Sequence, residues 1–310
     1  MKEESFTIKS SDEMEIVGYQ WQAEKGKPKA IIQIAHGSAE HASRYKGFAG
    51  RLTENGFVVY ANDHRGHGKT AGNVDNLSYF SDEDNGWHLA VEDMFRLTQK
   101  ARKEYSGLPV FLLGHSMGSL LSREYILHYG KDLQGVILSG TAGGLVLLIK
   151  VLKFFSKRMM KSKGRKTNSL FLHNILFNSL SKKINPRKTD YDWLSRDERE
   201  VQKYIDDPYC GRTVTPEYAY QLACGADKLL KPDSYFGVHK ELPMLILSGD
   251  NDPVGGKKGK DVKKVCQLYK KAGVKDVTLK LYPEARHEIF NEINREEVYE
   301  DVISWINQRM

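Results

Sequence analysis

The chain is poor in cysteine: Cys210, Cys224 and Cys266 are its three, odd in number and in no Cys-x-x-Cys or Cys/His spacing. A disulfide framework and a zinc site therefore have no support, and the thiols are expected to be reduced, in a cytoplasmic protein. A run apolar enough to cross a bilayer is also lacking. The longest uncharged stretch, Leu133–Ile149, is interrupted by Gln134, Ser139, Thr141 and four glycines, whereas a span requires ~18 or more apolar residues. The opening residues, MKEESFTIKSSDEMEIVGYQWQ, place acids where a secretory signal is basic and hold no apolar core, so export by a cleaved signal is not expected. Internal repeats and low-complexity linkers are absent as well.

The most informative absence is of negative charge. Between Leu133 and Thr189 there is no Asp or Glu, while twelve Lys and Arg lie between Lys150 and Lys188. The 310 residues carry 47 basic and 40 acidic side chains, a formal +7. One segment thus supplies +12, and the remainder of the chain sums to −5. A global +7 would not separate a nucleic-acid binder from any basic protein; a local +12 asks what that one segment does. With 40% apolar and 28% charged residues, the chain has a folded protein's composition and the length of one large domain or two small ones.

Periodicity then gives a rhythm. Ser5–Lys9 and Met14–Trp21 read as opening strands, and Ala30–Ala35 as a buried one. A helix over Ser43–Asn55 leads to the strand Phe57–Asn62, and a helix over Trp87–Tyr105 to the apolar run Pro109–Gly114. Met117–Tyr129 reads as helix and Gly135–Ser139 as strand. This alternation predicts an α/β sheet with helices on both faces. After Gly140 it stops for about a hundred residues, punctuated by Pro186, Pro208, Pro216 and Pro232, and resumes at Pro243–Ser248. Leu279–Tyr282 and a terminal helix over Arg295–Gln308 complete it. The intervening stretch is expected to be a mostly helical insertion of short elements between two strands of one sheet.

Gly114-His115-Ser116-Met117-Gly118 is a G-x-S-x-G sequence between an apolar run and a helical one. A serine on a sharp strand-to-helix turn has a strained backbone and an Oγ standing clear of the sheet edge, and flanking glycines remove side chains that would clash there. The alternative is an ordinary loop with a serine cap. Because a serine hydroxyl is a poor nucleophile near neutral pH, the reading demands a base and an orienting acid. Asp252, in Gly249-Asp250-Asn251-Asp252-Pro253, is preferred as the acid, since Pro253 fixes the loop and Asp250 suits turn capping. Among ten histidines, His287 lies after a strand and before the terminal helix. The order Ser, Asp, His is that of the α/β-hydrolase fold. Two N–H groups should face the developing oxyanion: Met117, next to the nucleophile, and Ser38, in the small-residue loop His36-Gly37-Ser38-Ala39-Glu40-His41 that opens from Ala30–Ala35. A metal held by His36 and His41 lacks a third ligand in the sequence, and no cofactor motif is present. Asp63-His64-Arg65-Gly66-His67-Gly68 reads as a glycine-shaped turn in which Asp63 bonds backbone amides, in preference to a pocket wall.

Taken together, His36-Gly37 through Tyr45, the Asp63–Gly68 loop, Gly114–Gly118, Leu194-Ser195-Arg196 through Asp207-Pro208, Asp252-Pro253-Val254 and Arg286-His287-Glu288 make the chain resemble the monoacylglycerol lipase and lysophospholipase-like branch of the α/β hydrolases, often labelled serine aminopeptidase S33-like. The resemblance implies a central, mostly parallel eight-stranded sheet, with a core of residues 1–140 and 241–310 and a helical cap, 141–240, inserted after the sixth strand. It also implies a triad of Ser116, Asp252 and His287, and an oxyanion hole from the amides of Ser38 and Met117. His36, Gly37, Gly114, His115 and Gly118 carry the supporting motifs. Ser119 stands where the family commonly has glycine, and Ser38-Ala39 where it has Ala-Gly; backbone donation survives both changes.

Within Leu145–Lys161, Lys150, Lys153, Lys157 and Lys161 recur at helical spacing opposite Leu148, Ile149, Leu152, Phe155 and Met159. Either a basic lid lies on anionic membrane, or a cap helix packs its apolar face and leaves its lysines solvated. Leu170–Leu180 either lines an acyl tunnel or packs the cap. The expected activity is hydrolysis of small lipid esters such as monoacylglycerols or lysophospholipids through an acyl-enzyme. An aminopeptidase would have to bind an ammonium; the lack of carboxylates from Leu133 to Thr189 weighs against it, although Asp190, Asp192 and Glu198 follow closely. A hydrolase-fold interaction protein would not need the Ser, Asp, His set, and nucleic-acid binding would call for stacking aromatics on a sheet rather than basics interleaved with Leu, Ile and Phe.

Overall fold

In the computed structural model, which describes residues 1–144 and 146–310, the apolar runs and amphipathic stretches become alternating strands and helices. Leu145, first residue of the expected basic helix, lies outside the described residues. The first half contains β1 (Lys2–Lys9), β2 (Glu15–Gln22), β3 (Ala30–Ala35), α1 (Lys46–Glu54), β4 (Phe57–Asn62), α2 (Gly86–Glu104), β5 (Val110–His115), α3 (Met117–Tyr129) and β6 (Gly135–Ser139). The insertion follows with α4 (Val146–Lys163), α5 (Leu170–His173), a π-helical turn at Asn174–Asn178, α6 (Ser179–Ser181), α7 (Glu198–Asp206), α8 (Pro216–Leu229) and α9 (Asp233–Phe236). The chain then returns to β7 (Met244–Gly249), α10 (Lys260–Lys271), β8 (Val277–Tyr282) and α11 (Arg295–Asn307).

The sheet has eight strands in the order β1-β2-β4-β3-β5-β6-β7-β8, antiparallel from β1 to β4 and parallel from there to β8. Every residue of β3, β4, β5, β6 and β7 is buried, as a parallel sheet covered on both faces requires. Strand alternation divides the core. Leu112, Val136 and Ile246 pack with α2, α3 and α10 on one face, while Phe111, Leu113, Ile137 and Leu245 pack with α1 and α11 on the other. Each such side chain withdrawn from water contributes ~1.5–3 kcal/mol before entropy is counted. Parallel strands put the C-terminal ends of β5, β6, β7 and β8 at one edge, where the loops carrying Ser116, Asp252 and His287 emerge.

Three expectations are corrected. The opening strand begins at Lys2, its exposed charged half pairing Lys2 with Gln22 through Ser5 with Tyr19; backbone pairing extends beyond the apolar run. α10, for which the sequence reading had no element, buries Val262, Val265, Cys266 and Tyr269 at helical spacing among lysines. The insertion is not all short elements, since α4 has 18 residues and α8 has 14, and these two pack along each other. On α4 the buried stripe is Ile149, Leu152 and Ser156. Phe155, expected on the packed face, lies partly exposed beside Phe154, which is 63% exposed. Among the described residues no helix is long and apolar enough to cross a membrane.

Candidate active site

Ser116 links β5 to α3 with φ +52° and ψ −116°, a backbone region that costs a non-glycine residue about 1–3 kcal/mol and persists only when its surroundings enforce it. Its N–H donates to Ser139 O on β6 at 2.9 Å. The turn needs its glycines: a Cβ at Gly118 would press on the carbonyls of Ala35 and His36, and one at Gly114 on Gly118 O and Ser122 Oγ. Ser119, where the family commonly has glycine, is buried and donates its hydroxyl to Ser116 O at 2.6 Å.

His287 Nε2 lies 2.8 Å from Ser116 Oγ, and its Nδ1 lies 2.9 Å from Asp252 Oδ2. The loop after β8 thereby meets the loop after β7 across the sheet edge. Asp252 is fixed by the Val254 N–H at 2.8 Å and by Ser248 Oγ at 3.3 Å. Asp250 faces elsewhere, accepting from the Glu284 N–H and from Lys258. Burial opposes ionisation of Asp252, but the charge and hydrogen bond of His287 outweigh it and keep the carboxyl below its ordinary range. Burial likewise pulls His287 down, and Asp252, Glu288 and Glu40 overcome it, raising the imidazole above its ordinary range. His115, 4.7 Å away ring to ring, is held by burial at about 3 and adds no positive charge.

A histidine that must be neutral to accept a proton, and whose affinity for protons is raised, fixes the direction of pH dependence. A reaction in which His287 accepts a proton is expected to slow about tenfold per pH unit on an acid limb lying above the ordinary histidine value of about 6.5. A pH profile with its acid limb below that value would contradict the pairing of His287 with an ionised Asp252.

Ser38 and Met117 stand beside Ser116 in the wall of one cavity. Met117 is the first residue of α3, so its N–H has no intrahelical partner. Among the described residues neither this N–H nor that of Ser38 donates to the protein. Ser38 Oγ bonds the Tyr218 hydroxyl, which also reaches Met117 Sδ at 3.2 Å. Tyr218 comes from α8, 180 residues from Ser38, and no local sequence signal connects the two.

The loop of Ser38 is clamped to that of His287. Glu40 Oε1 accepts the Gly37 N–H at 2.6 Å and the Tyr45 hydroxyl at 3.0 Å, while Oε2 accepts from Arg44. Arg44 bonds Glu288 in fork geometry at 2.6 and 2.7 Å. Burial works against the charge of Glu288, but Arg44 outweighs it and holds the carboxyl at about 2. Burial leaves Glu40 raised. These three residues lie inside quoted motifs, yet the sequence reading gave them no role, because the pairing spans 244 positions. The insertion is tied in too. His287 N–H donates to Trp193 O, Glu288 N–H to Leu194 O, and Arg286 to Asp192 O and Ser195 O.

The histidines of the His36–His41 and Asp63–Gly68 loops shape backbone. His36 accepts the His64 N–H at Nε2 and donates Nδ1–H to Gly37 O; burial keeps it far below its ordinary range and so neutral. Asp63 accepts N–H bonds from Ala42 and Lys69, fastening the His36–Tyr45 loop to the Asp63–Gly68 turn. For His41 the structure supplies the further ligands absent from the sequence, Asp207 and Cys210. Their chemistry does not suit a metal: His41 Nε2 is already engaged with Asp207 at 2.8 Å, and burial drives the Cys210 thiol upward, away from thiolate.

The cavity over Ser116 encloses about 1050 Å³ of atom-free space, its mouth included. One wall is Leu148, Ile149 and Leu152 of α4 with Leu222, Ala226 and Leu229 of α8. Leu176, Phe177 and Leu180, within the second apolar stretch, also face it.

An eight-stranded sheet of this order, bearing a serine on a strained strand-to-helix turn bonded to histidine and aspartate from later loops, defines an α/β hydrolase. Residues 26–294 match the family described as serine aminopeptidase, S33, and the chain belongs to that family. It is 31% identical to a monoacylglycerol lipase of Mycolicibacterium smegmatis, over 90% of this chain and 88% of that one. It is 29% identical to human monoglyceride lipase, over 92% and 84%. A highly thermostable carboxyl esterase from Bacillus coagulans, solved in complex with glycerol, superposes with a TM-score of 0.91 at 31% identity, covering 100% of this chain and 99% of that one.

Proposed function

We propose that the protein hydrolyses carboxylic esters of single-acyl lipids, of the monoacylglycerol or lysophospholipid kind, through an acyl-enzyme on Ser116. The carrying observation is His287 bridging Ser116 Oγ at 2.8 Å and Asp252 Oδ2 at 2.9 Å, with Ser116 itself lining a largely apolar cavity. His287 takes the Ser116 proton as Oγ attacks the ester carbonyl, and the Ser38 and Met117 N–H groups receive the oxyanion, at roughly 3–4 kcal/mol per donor. The carbon–oxygen bond to the alcohol then breaks, with His287 returning the proton to the departing oxygen. Water, deprotonated by the same imidazole, releases the acid and regenerates Ser116.

An aminopeptidase must hold a substrate ammonium. Among the described residues lining the cavity none is Asp or Glu, while Arg123 and Lys183 are present, which favours ester over aminoacyl amide. A rate profile across glycerol and p-nitrophenyl esters of graded acyl length beside aminoacyl amides tests this: long-chain esters are expected to lead, and amide turnover above ester turnover would overturn the reading.

We also infer contact with anionic lipid surfaces through α4. Leu147 and Phe154, 76% and 63% exposed, stand among Lys150, Lys157, Arg158 and Lys161, and Phe155 meets the half-exposed Phe171 at 5.2 Å. Apolar side chains and cations on one surface suit an interfacial helix. Sedimentation with anionic vesicles and not with neutral ones is the expected result; equal recovery with both would refute it.

A further inference from the structure

We propose that Lys183 selects substrates whose leaving alcohol carries a phosphate, so that the preferred ester is a single-acyl glycerophosphate lipid rather than a neutral monoacylglycerol. The inference rests on the ester-hydrolase reading above and narrows its substrate class.

The cavity has two sides, distinguished by what each packs against. The α4 and α8 wall belongs to the main core: Ile149, Leu152, Ala223 and Leu229 pack continuously with α3. The other side is a smaller cluster in which Leu180, Trp193 and Val254 come together, with Phe177 packing against both clusters. This second wall lies against the histidine. The Trp193 ring is 5.1 Å from that of His287, and Val254 follows Asp252 by two residues and bonds it. Because His287 delivers the proton to the departing oxygen, the alcohol must lie on its side and the acyl chain along the opposite wall. There the α4 and α8 side chains are apolar, and the guanidinium of Arg123 is taken up by the Ala142 and Leu229 carbonyls and the Tyr235 hydroxyl.

Lys183 lines the same cavity, and its bond to the Pro253 carbonyl puts its ammonium beside the loop of Asp252 and Val254, on the alcohol side. Among the described residues its ammonium makes one hydrogen bond, to the Pro253 carbonyl at 3.1 Å, one residue beyond Asp252, and meets no carboxylate within 4.0 Å. Its own segment offers none, since no Asp or Glu occurs between Leu133 and Thr189. Elsewhere in the insertion, cations near an acid use it: Lys153 pairs with Asp227, Arg165 with Asp84 and Lys188 with Glu198. Arg123, the other cation lining the cavity, is buried and bonded to two carbonyls and two tyrosine hydroxyls. Lys183 is instead exposed at the mouth with two of its three donors free among the described residues, and such an ammonium suits a phosphate as a point charge. A glycerol hydroxyl offers it little that water does not.

The experiment compares 1-oleoylglycerol with 1-oleoylglycerol 3-phosphate, each presented in the same neutral detergent micelles so that surface attraction does not enter. The wild type is expected to show the higher kcat/KM on the phosphate. Lys183→Met should lower kcat/KM for the phosphate about 10–100-fold, the range of one charge-assisted hydrogen bond, chiefly through KM, and leave the neutral ester within about twofold. Lys183→Arg, which keeps the charge, should restore most of the loss. An unchanged rate on the phosphate in Lys183→Met, or an equal fall on both substrates, would overturn the assignment. Neutral-ester hydrolysis that vanishes in Ser116→Ala verifies the underlying hydrolase reading independently, so that failure of the Lys183 proposal is distinguishable from failure of that reading.

Discussion

Ser116→Ala is expected to lower kcat on a long-chain ester by about 10⁴–10⁶ while leaving the melting temperature nearly unchanged. Both halves follow from the geometry. The hydroxyl is the single heavy atom removed, and it is the one His287 Nε2 faces at 2.8 Å; among the described residues that nitrogen has no other hydrogen-bond partner. The Cβ and the strained backbone at φ +52° remain, as does the N–H bond to Ser139 O, so the fold loses one partly exposed hydrogen bond. Residual turnover would come from the amides of Ser38 and Met117 and from binding in the cavity. A variant that keeps a tenth of the rate would refute Ser116 as the nucleophile.

Asp252→Asn is expected to cost about 10³–10⁴ in kcat, against less than threefold for Asp250→Asn. The two residues are two positions apart and chemically identical, so the comparison isolates geometry. Asp252 is buried and holds His287 Nδ1–H at 2.9 Å, which leaves Nε2 as the lone-pair nitrogen toward Ser116. An amide there loses the charge that stabilises the imidazolium and can present N–H to Nδ1, favouring the wrong tautomer. Asp250 bonds Lys258 and the Glu284 N–H at the loop exterior. In Asp252→Asn the raised proton affinity of His287 should also fall, moving the acid limb of the pH profile down. Equal losses in the two variants would mean that Asp252 acts only by shaping its loop.

Legibility in the sequence tracked how local each determinant is. β4, α3 and β6 were read with the bounds they have, because each is an uninterrupted run flanked by glycine, asparagine or an adjoining turn. Leu279–Tyr282 covers only the last four residues of β8, because exposed Thr278 separates Val277 from the rest of the run. α10 went unread because five lysines mask a four-residue stripe. In the site, Ser116, Asp252 and His287 announced themselves by their positions after strands. The Glu40–Arg44–Glu288 clamp did not, because its meaning lies in a contact across 244 positions. Trp193 and Lys183 reach the cavity, and Tyr218 reaches Ser38, only through the path of the insertion, and nothing in periodicity predicts where a helical insertion folds back.

The opening question of where the basic charge sits also changes with the fold in hand. Part of the +12 segment is consumed: Lys153, Arg165, Arg187 and Lys188 pair with acids beyond it. Lys166 also pairs with Asp82; what is left is the outer surface of α4, Lys182 and the lysine at the cavity mouth, Lys183.

The most direct test of the central claim is active-site titration with a lipid-like organophosphonate, followed by peptide mass mapping. The account predicts one adduct per chain, on Ser116, with activity lost in proportion to labelling and no adduct in Ser116→Ala. Full labelling at another residue, or activity that survives stoichiometric modification of Ser116, would contradict it.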